Sequence, residues 1–291
     1  MRKVNVTPKD LITESILILK KHKIKEAKLN AELIMSHCMN GDRIYLYENY
    51  NKSLTKIEQN LFRSLIRRRI KKEPVQYIIG KTEFMGLTFK VNKNVLIPRP
   101  DTETLVEFAI KYSLENKKDS NYRILDFGTG SGNIIVSIAK YSPNLKYYAI
   151  DLSRGALLIA KENAKINGVD KDIVFIQSNG FSSLNSDFKY DMILSNPPYI
   201  PTAVILKLPE EIRFYEPIVS LDGGDDGLQI IRTIVNSAYK YLKKNGVCLI
   251  EIGYDQSDQV EKLVKETRKY KDIKFLKDLS GIKRVIFFKK L

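Results

Sequence analysis

Apolar positions recur at helical spacing through the first seventy residues. Ile12, Ile16 and Leu19 fall on one face after Thr7, Pro8 and Asp10, which read as an N-cap, a first-turn proline and a capping acid. Ala27, Ala31, Ile34 and Cys38 repeat the spacing. "TKIE", Thr55 to Glu58, is a capping box ahead of Ile57, Leu61 and Leu65. The pattern predicts a small helical bundle that ends before Pro74. From Val75 to Pro98 it changes, and "VQYIIGKTEFMGLTFKV" mixes aromatic and β-branched residues around Gly80 and Gly86, which predicts a linking hairpin. Pro98 and Pro100 then precede a helix starting near Asp101, with Asp101 or Thr102 as its cap.

Beyond that helix, strand-like runs alternate with helical stretches: "YRILDF", "KYYAID", "DIVFIQ", "YDMILS" and "GVCLIEI". "IKFLKDL" and "KRVIFFKK" lie close enough to form a final antiparallel pair. Near-continuous apolar strands separated by helices predict an α/β fold, its mostly parallel sheet covered on both faces. The expected domains are a helical bundle over 1–74, a hairpin linker over 75–98 and an α/β domain over 99–291. Ligands of such sheets sit beyond the carboxyl ends of the strands, near the switch point.

Two strand ends carry candidate chemistry. "ILDFGTGSGNIIVSIAK" runs strand, Gly128-Thr129-Gly130-Ser131-Gly132, helix. This is neither the G-x-G-x-x-G of dinucleotide folds nor a P-loop. Alternate glycines let the backbone turn sharply and approach a ligand, and the following helix N-terminus offers free N–H groups. The next strand ends in Asp151, placed to accept hydrogen bonds from both hydroxyls of a ribose. A glycine turn alone is commonly structural; together with Asp126 before it and Asp151 after it, it reads as a nucleoside site. The fourth strand ends at Asn196-Pro197-Pro198-Tyr199, where two prolines forbid continuation of strand or helix.

"DFGTGSG", an acid ending the next strand and "NPPY" ending the fourth together resemble the Rossmann-like S-adenosylmethionine-dependent methyltransferases that modify planar nitrogens. Such a nitrogen is a poor nucleophile because its lone pair is delocalised. Acceptance of its two N–H groups by the Asn196 side-chain oxygen and the Pro197 carbonyl would orient it and favour the charge that develops. Tyr199 is expected to stack on the planar group. No general base is required, so a histidine near the motif is not needed.

"EPVQYIIGKTEF", "LIPRPDTETLVE", "NPPYI", Glu216-Pro217, "LDGGDDGL", "EIGYDQ" and "DLSGIKRV" resemble, in order and over nearly the whole chain, the peptide chain release factor glutamine methyltransferases. The resemblance implies a helical domain joined by a hairpin to a seven-stranded, Rossmann-like methyltransferase sheet with one antiparallel strand. It implies S-adenosyl-L-methionine as cofactor and the glutamine of the Gly-Gly-Gln loop of class 1 release factors as substrate. Gly128 to Gly132, Asp151, Asn179, Gly180 and Asn196 would hold the cofactor, and Asn196, Pro197, Pro198 and Tyr199 the glutamine. The chain departs from the family pattern after the third strand, where Ser178-Asn179-Gly180-Phe181 puts glycine in place of a bulky residue expected against the adenine. Methylation of adenine in DNA or guanine in RNA, and a non-catalytic interaction protein, remain the alternatives. "LIPRPDTE" reads either as part of a release-factor contact or as an interdomain linker.

Composition adjusts this picture little. Lys+Arg of 49 against Asp+Glu of 34 gives a net charge of +15, which permits a nucleic-acid partner without requiring one. "RRRIKK", Arg67 to Lys72, is read as a solvated helix end whose cations favour the C-terminal dipole. Cys38 and Cys248 are isolated and His22 and His37 are the only histidines, so no metal site or disulfide is expected. Without a signal-peptide pattern or a long apolar run, the expectation is a cytoplasmic protein, taken as a monomer and not attached to a membrane.

Overall fold

The computed structural model describes residues 5–117 and 121–291. The chain divides into two compact units, residues 1–81 with 209–215, and residues 82–208 with 216–291.

The first unit holds α1 (Pro8–Lys21), α2 (Ala27–Cys38), α3 (Arg43–Glu48), α4 (Lys56–Ile70) and α5 (Val75–Ile79). Thr7 and Thr55 both close capping boxes, with Asp10 and Glu58 respectively, as their spacing predicts. Leu11, Ile12, Leu19, Ala31, Ile34, Phe62 and Ile66 form the core. The face of α4 differs from the expected one: Ile57 and Leu61 are exposed, whereas Phe62, Leu65 and Ile66 are buried. A strict four-residue repeat drifts about 40° per step on a helix of 3.6 residues per turn, so it cannot stay on one face.

The "RRRIKK" end is not simply solvated. Arg69 is buried; its Nε donates to Asn30 Oδ1 at 2.6 Å, Nη1 to the Glu73 carbonyl at 3.0 Å and Nη2 to Glu211 Oε2 at 2.6 Å. Arg68 makes a two-point pair with Glu73. The Tyr215 hydroxyl donates to the Lys71 carbonyl at 2.7 Å. A buried guanidinium needs acceptors around its whole edge, and here residues 209–215, expected in the α/β domain, supply one of them.

The hairpin expected from Val75 begins at Lys81. Pro74 starts a short helix instead, Val75 and Ile78 enter the bundle core, and Gly80 at φ +76° ends it. The hairpin proper, β1 (Lys81–Phe84) and β2 (Leu87–Lys90), turns at Met85 and Gly86, both at positive φ.

The second unit continues with α6 (Glu103–Asn116), β3 (Arg123–Phe127), α7 (Asn133–Tyr141), β4 (Lys146–Asp151), α8 (Arg154–Ile166), β5 (Ile173–Gln177), β6 (Tyr190–Ser195) and α9 (Thr202–Ile205). After α10 (Glu210–Arg213), which belongs to the first unit, it resumes with α11 (Gln229–Tyr241), β7 (Leu242–Glu251), α12 (Ser257–Glu266), β8 (Tyr270–Lys277) and β9 (Lys283–Lys290). The sheet has seven strands in the order β5-β4-β3-β6-β7-β9-β8, with β9 antiparallel to both neighbours and every other pairing parallel. Successive residues of each strand enter opposite apolar layers, Ile124 and Met192 on one side, Leu125 and Ile193 on the other. The first layer is built with α6 and α7, the second with α11 and α12. Strand order reverses between β3 and β6, and their register pairs Asp126 with Leu194. The segments after these two strands therefore leave the same edge at the switch point.

Candidate functional site

At that edge lies a cavity of about 360 Å³, within the size range of small-molecule sites. One side is backbone. Gly128, Gly130 and Gly132 have φ of +73°, +56° and +80°, a region that costs any residue with a Cβ. At Gly132 a Cβ would also come within 3.1 Å of Ala160 Cβ, so this glycine is needed for packing as well as for the turn.

The loop is tied to the next strand by Asp151. Its Oδ2 accepts from Gly130 N and its Oδ1 from Ser153 N, both at 2.8 Å. Each oxygen retains a second lone pair, and Asp151 lines the cavity. Burial raises its pKa, while those two N–H groups pull it down. Asp126 sits below the loop, fully buried, accepting from the Thr129 hydroxyl at 2.6 Å. Desolvation pushes its carboxyl up to about 7.

Asn179 and Gly180 line the cavity beyond β5. Gly180 has φ +56°, so the absence of a side chain there suits a left-handed turn. Phe181 turns inward, stacked on Tyr241 with centroids 4.6 Å apart. Thr129, Ser131, Asn196, Pro197 and Pro198 also line the cavity, and of the cofactor-side residues expected from the sequence all but Gly132 are gathered on it.

Asn196 follows β6, and its Nδ2 donates to Thr102 Oγ1 at 3.0 Å. Oδ1 is then the acceptor left to the amide. Asp101 or Thr102 was expected to cap the helix after "IPRPD"; Thr102 does occupy the N-cap position of α6, but Pro100–Thr102 is a 3₁₀ turn and the Thr102 side chain makes no cap bond. Its hydroxyl is used for Asn196 instead. Tyr199 is a second correction. It is not among the residues lining the cavity; its ring packs on the apolar layer that contains Ile252 and Val260, and its hydroxyl lies 3.4 Å from Glu251 Oε1. Two prolines set the direction of the chain so that Asn196 lines the cavity while the Tyr199 ring packs on the apolar layer; an aromatic residue that does line the cavity is Phe127.

The comparisons with known proteins agree with this geometry. Residues 10–80 match the model of the PrmC N-terminal domain and residues 118–286 that of a methyltransferase domain. The release factor glutamine methyltransferase of Geobacter sulfurreducens is 39% identical over 263 residues, 90% of this chain and 89% of that protein. The enzyme of the same name from Thermodesulfovibrio yellowstonii is 39% identical over 260 residues, 89% of this chain and 91% of its own. This chain belongs to the release factor glutamine methyltransferase family. Among solved structures, the N-terminal domain of human METTL16 in complex with SAH has a TM-score of 0.51 at 16% identity, covering 70% of this chain and 75% of that one, a likeness of fold.

In this methyltransferase the cavity also takes in residues that the sequence analysis did not place in the site: Arg99, Thr102, Val219, Gln229 and Thr233. Arg99 is held by Glu216, with Nη2 to Oε1 at 2.5 Å, and Glu216 Oε2 also accepts from Ile97 N at 3.3 Å. Arg99 and Glu216 both lie in motifs quoted for the family, so "IPRP" and "EP" were signals for a contact whose nature only packing supplies. Gln229 and Thr233 sit four residues apart on α11 and had no signal of their own.

Proposed function

We propose that this chain transfers the methyl group of S-adenosyl-L-methionine to the side-chain amide nitrogen of the glutamine in the Gly-Gly-Gln motif of class 1 release factors. Membership of the family supports the reaction. The observation that carries the site assignment is the Asn196 to Thr102 hydrogen bond, which commits the amide N–H end to the protein and leaves the carbonyl end to a substrate.

The donor set suits a nucleoside cofactor. Asp151 has lone pairs for two ribose hydroxyls, Asn179 offers an acceptor to an adenine amine, and the glycines keep Cβ atoms out of the way. When bound, S-adenosyl-L-methionine supplies an electrophilic methyl group. Asn196 Oδ1 and the Pro197 carbonyl accept the two N–H groups of the substrate amide, orient its nitrogen and stabilise the positive charge that grows on it. The nitrogen becomes acidic as it is alkylated and its proton passes to water, so no side chain has to act as a base. The prolines hold both acceptors in place at small entropic cost.

A labelled-methyl assay that offers release factor, release factor with its Gly-Gly-Gln glutamine changed to alanine, duplex DNA and ribosomal RNA side by side tests this. Label is expected in the intact release factor alone. Label in nucleic acid, or in the alanine-bearing factor, would refute the substrate assignment.

A further inference from the structure

The Asn196 bond raises a question of polarity. A threonine hydroxyl both donates and accepts. Thr102 could receive the Asn196 N–H, or the amide could turn over and take the Thr102 proton on Oδ1. Only the first arrangement leaves an acceptor for a substrate. Something has to claim the Thr102 proton.

Glu251, the last residue of β7, is in position to do so. Its side chain is buried, and its Oε2 accepts no hydrogen bond from another residue, which leaves that oxygen open as an acceptor. Its Oε1 faces the Tyr199 hydroxyl at 3.4 Å. The Arg284 carbonyl accepts from Ile252 N at 2.9 Å and the Arg284 side chain holds Asp101, so the Thr102 turn lies against the end of β7. There the Thr102 and Tyr199 hydroxyls both act to lower the pKa of this carboxyl. An ionised carboxylate accepts and cannot donate. Arg284 and Asp101 are the charged groups that face it. Arg284 Nη2 is 2.9 Å from Asp101 Oδ2 and its Nε 2.9 Å from Asp278 Oδ2, which ties the "PRPDTE" turn to β9.

We propose that Glu251 and Thr102 are positioning residues for the methyl acceptor: the Glu251 carboxylate takes the Thr102 proton, Thr102 is thereby restricted to accepting from Asn196, and Asn196 Oδ1 is turned toward the substrate amide. This gives "IPRPDTE" and the glutamate of "EIGYDQ" a shared task. It rests on the assignment of Asn196 Oδ1 as the acceptor for the substrate. Protonation of Glu251 undoes the device, because a carboxylic acid can donate to Thr102 and free the threonine proton for Asn196 Oδ1. Burial pushes the Glu251 carboxyl up to about 7, so kcat is expected to fall as the pH drops below that region.

Steady-state kinetics on the full-length protein with release factor as substrate test this. Thr102→Val removes the hydroxyl at nearly constant volume and should lower kcat about tenfold or more, with the KM for release factor and the Kd for S-adenosyl-L-methionine within about twofold of the parent. Thr102→Ser keeps the hydroxyl and should restore kcat to within about threefold. Glu251→Gln, whose amide can donate, should lower kcat and remove the acidic limb of the kcat profile. Asp126 also titrates near 7, so loss of the limb in Glu251→Gln, rather than the limb itself, is the diagnostic. Parental kcat in Thr102→Val, a folded Thr102→Ser no better than valine, or an unchanged limb in Glu251→Gln would overturn the proposal. Should Thr102→Val not fold, the glutamine variant decides alone. Asn196→Ala separates the two levels: if it stays active the acceptor assignment fails, whereas if it is inactive and Thr102→Val is fully active only the positioning role fails.

Discussion

The two sides of the cavity are built by different means. The glycine side is local: five consecutive residues and one strand-end acid, linked by backbone N–H groups, with three left-handed glycines. The amide side is assembled from segments far apart in sequence: Thr102 and Asn196 line the cavity, and Tyr199, Glu251 and Arg284, which do not line it, form the side-chain contacts next to them. A backbone site is specified by conformation, so glycine at alternate positions nearly writes it out. A side-chain site is specified by which partners the fold brings near, and it can fail in orientation while every residue is still present.

The sharpest way to break this contrast is Asn196→Ala. Methyl transfer should drop by about 10²-fold or more, the usual scale for removing one transition-state hydrogen-bond partner. Calorimetry should show much less change in S-adenosyl-L-methionine affinity. A variant that loses cofactor affinity as severely as activity would mean that the two sides are not separable.

Asp151→Ala should do the reverse, weakening cofactor binding by about tenfold or more for the loss of charged hydrogen bonds to the ribose, with the fold retained. Unchanged affinity in calorimetry would remove the ribose assignment. Gly132→Ala probes the backbone side through stability. A left-handed alanine costs about 1–2 kcal/mol, and contact with Ala160 at 3.1 Å adds to this, so denaturant unfolding should show a loss of at least that size.

The smallest effect is a pH slope. Asp126 is raised from 3.8 to about 7 in the folded chain, so between those values the native state holds a proton that the unfolded state has released. Stability therefore falls as pH rises through this window, and the contribution present below 3.8 is gone above 7. Asp126→Asn cannot release that proton. Its melting temperature should decline less between pH 5 and pH 8 than the parent's, and an equal decline would show that Asp126 does not titrate there. Glu251 contributes a slope of the same sign, which Asp126→Asn leaves in place.

Much of the α/β unit was legible along the chain. All five alternating strand runs form strands, the last two runs pair antiparallel, and Asp151 and Asn196 sit at strand ends on one cavity. These features depend on periods of a few residues. Tyr199 was misread because adjacency to Asn196 says nothing about which way a ring turns after two prolines. Thr102 looked like a helix cap because capping is the commonest local use of threonine, whereas its observed partner lies 94 residues away. In the helical unit, Arg69 looked solvated because no local feature announces Asn30 and Glu211 as its acceptors.

By itself the sequence determined the parts: a capped helical bundle, a glycine turn that only glycine can make, an acid at the end of the next strand and a proline-locked asparagine after the fourth. The tertiary structure decided their relation. Parallel pairing of β3 with β6 set the glycine loop beside Asn196, and the turn at Pro100–Thr102 supplied the hydroxyl that orients the Asn196 amide. The division has a physical cause, since backbone conformation is governed by neighbours in the chain while the direction of a hydrogen bond is set by whichever donors and acceptors folding brings within 3 Å or so.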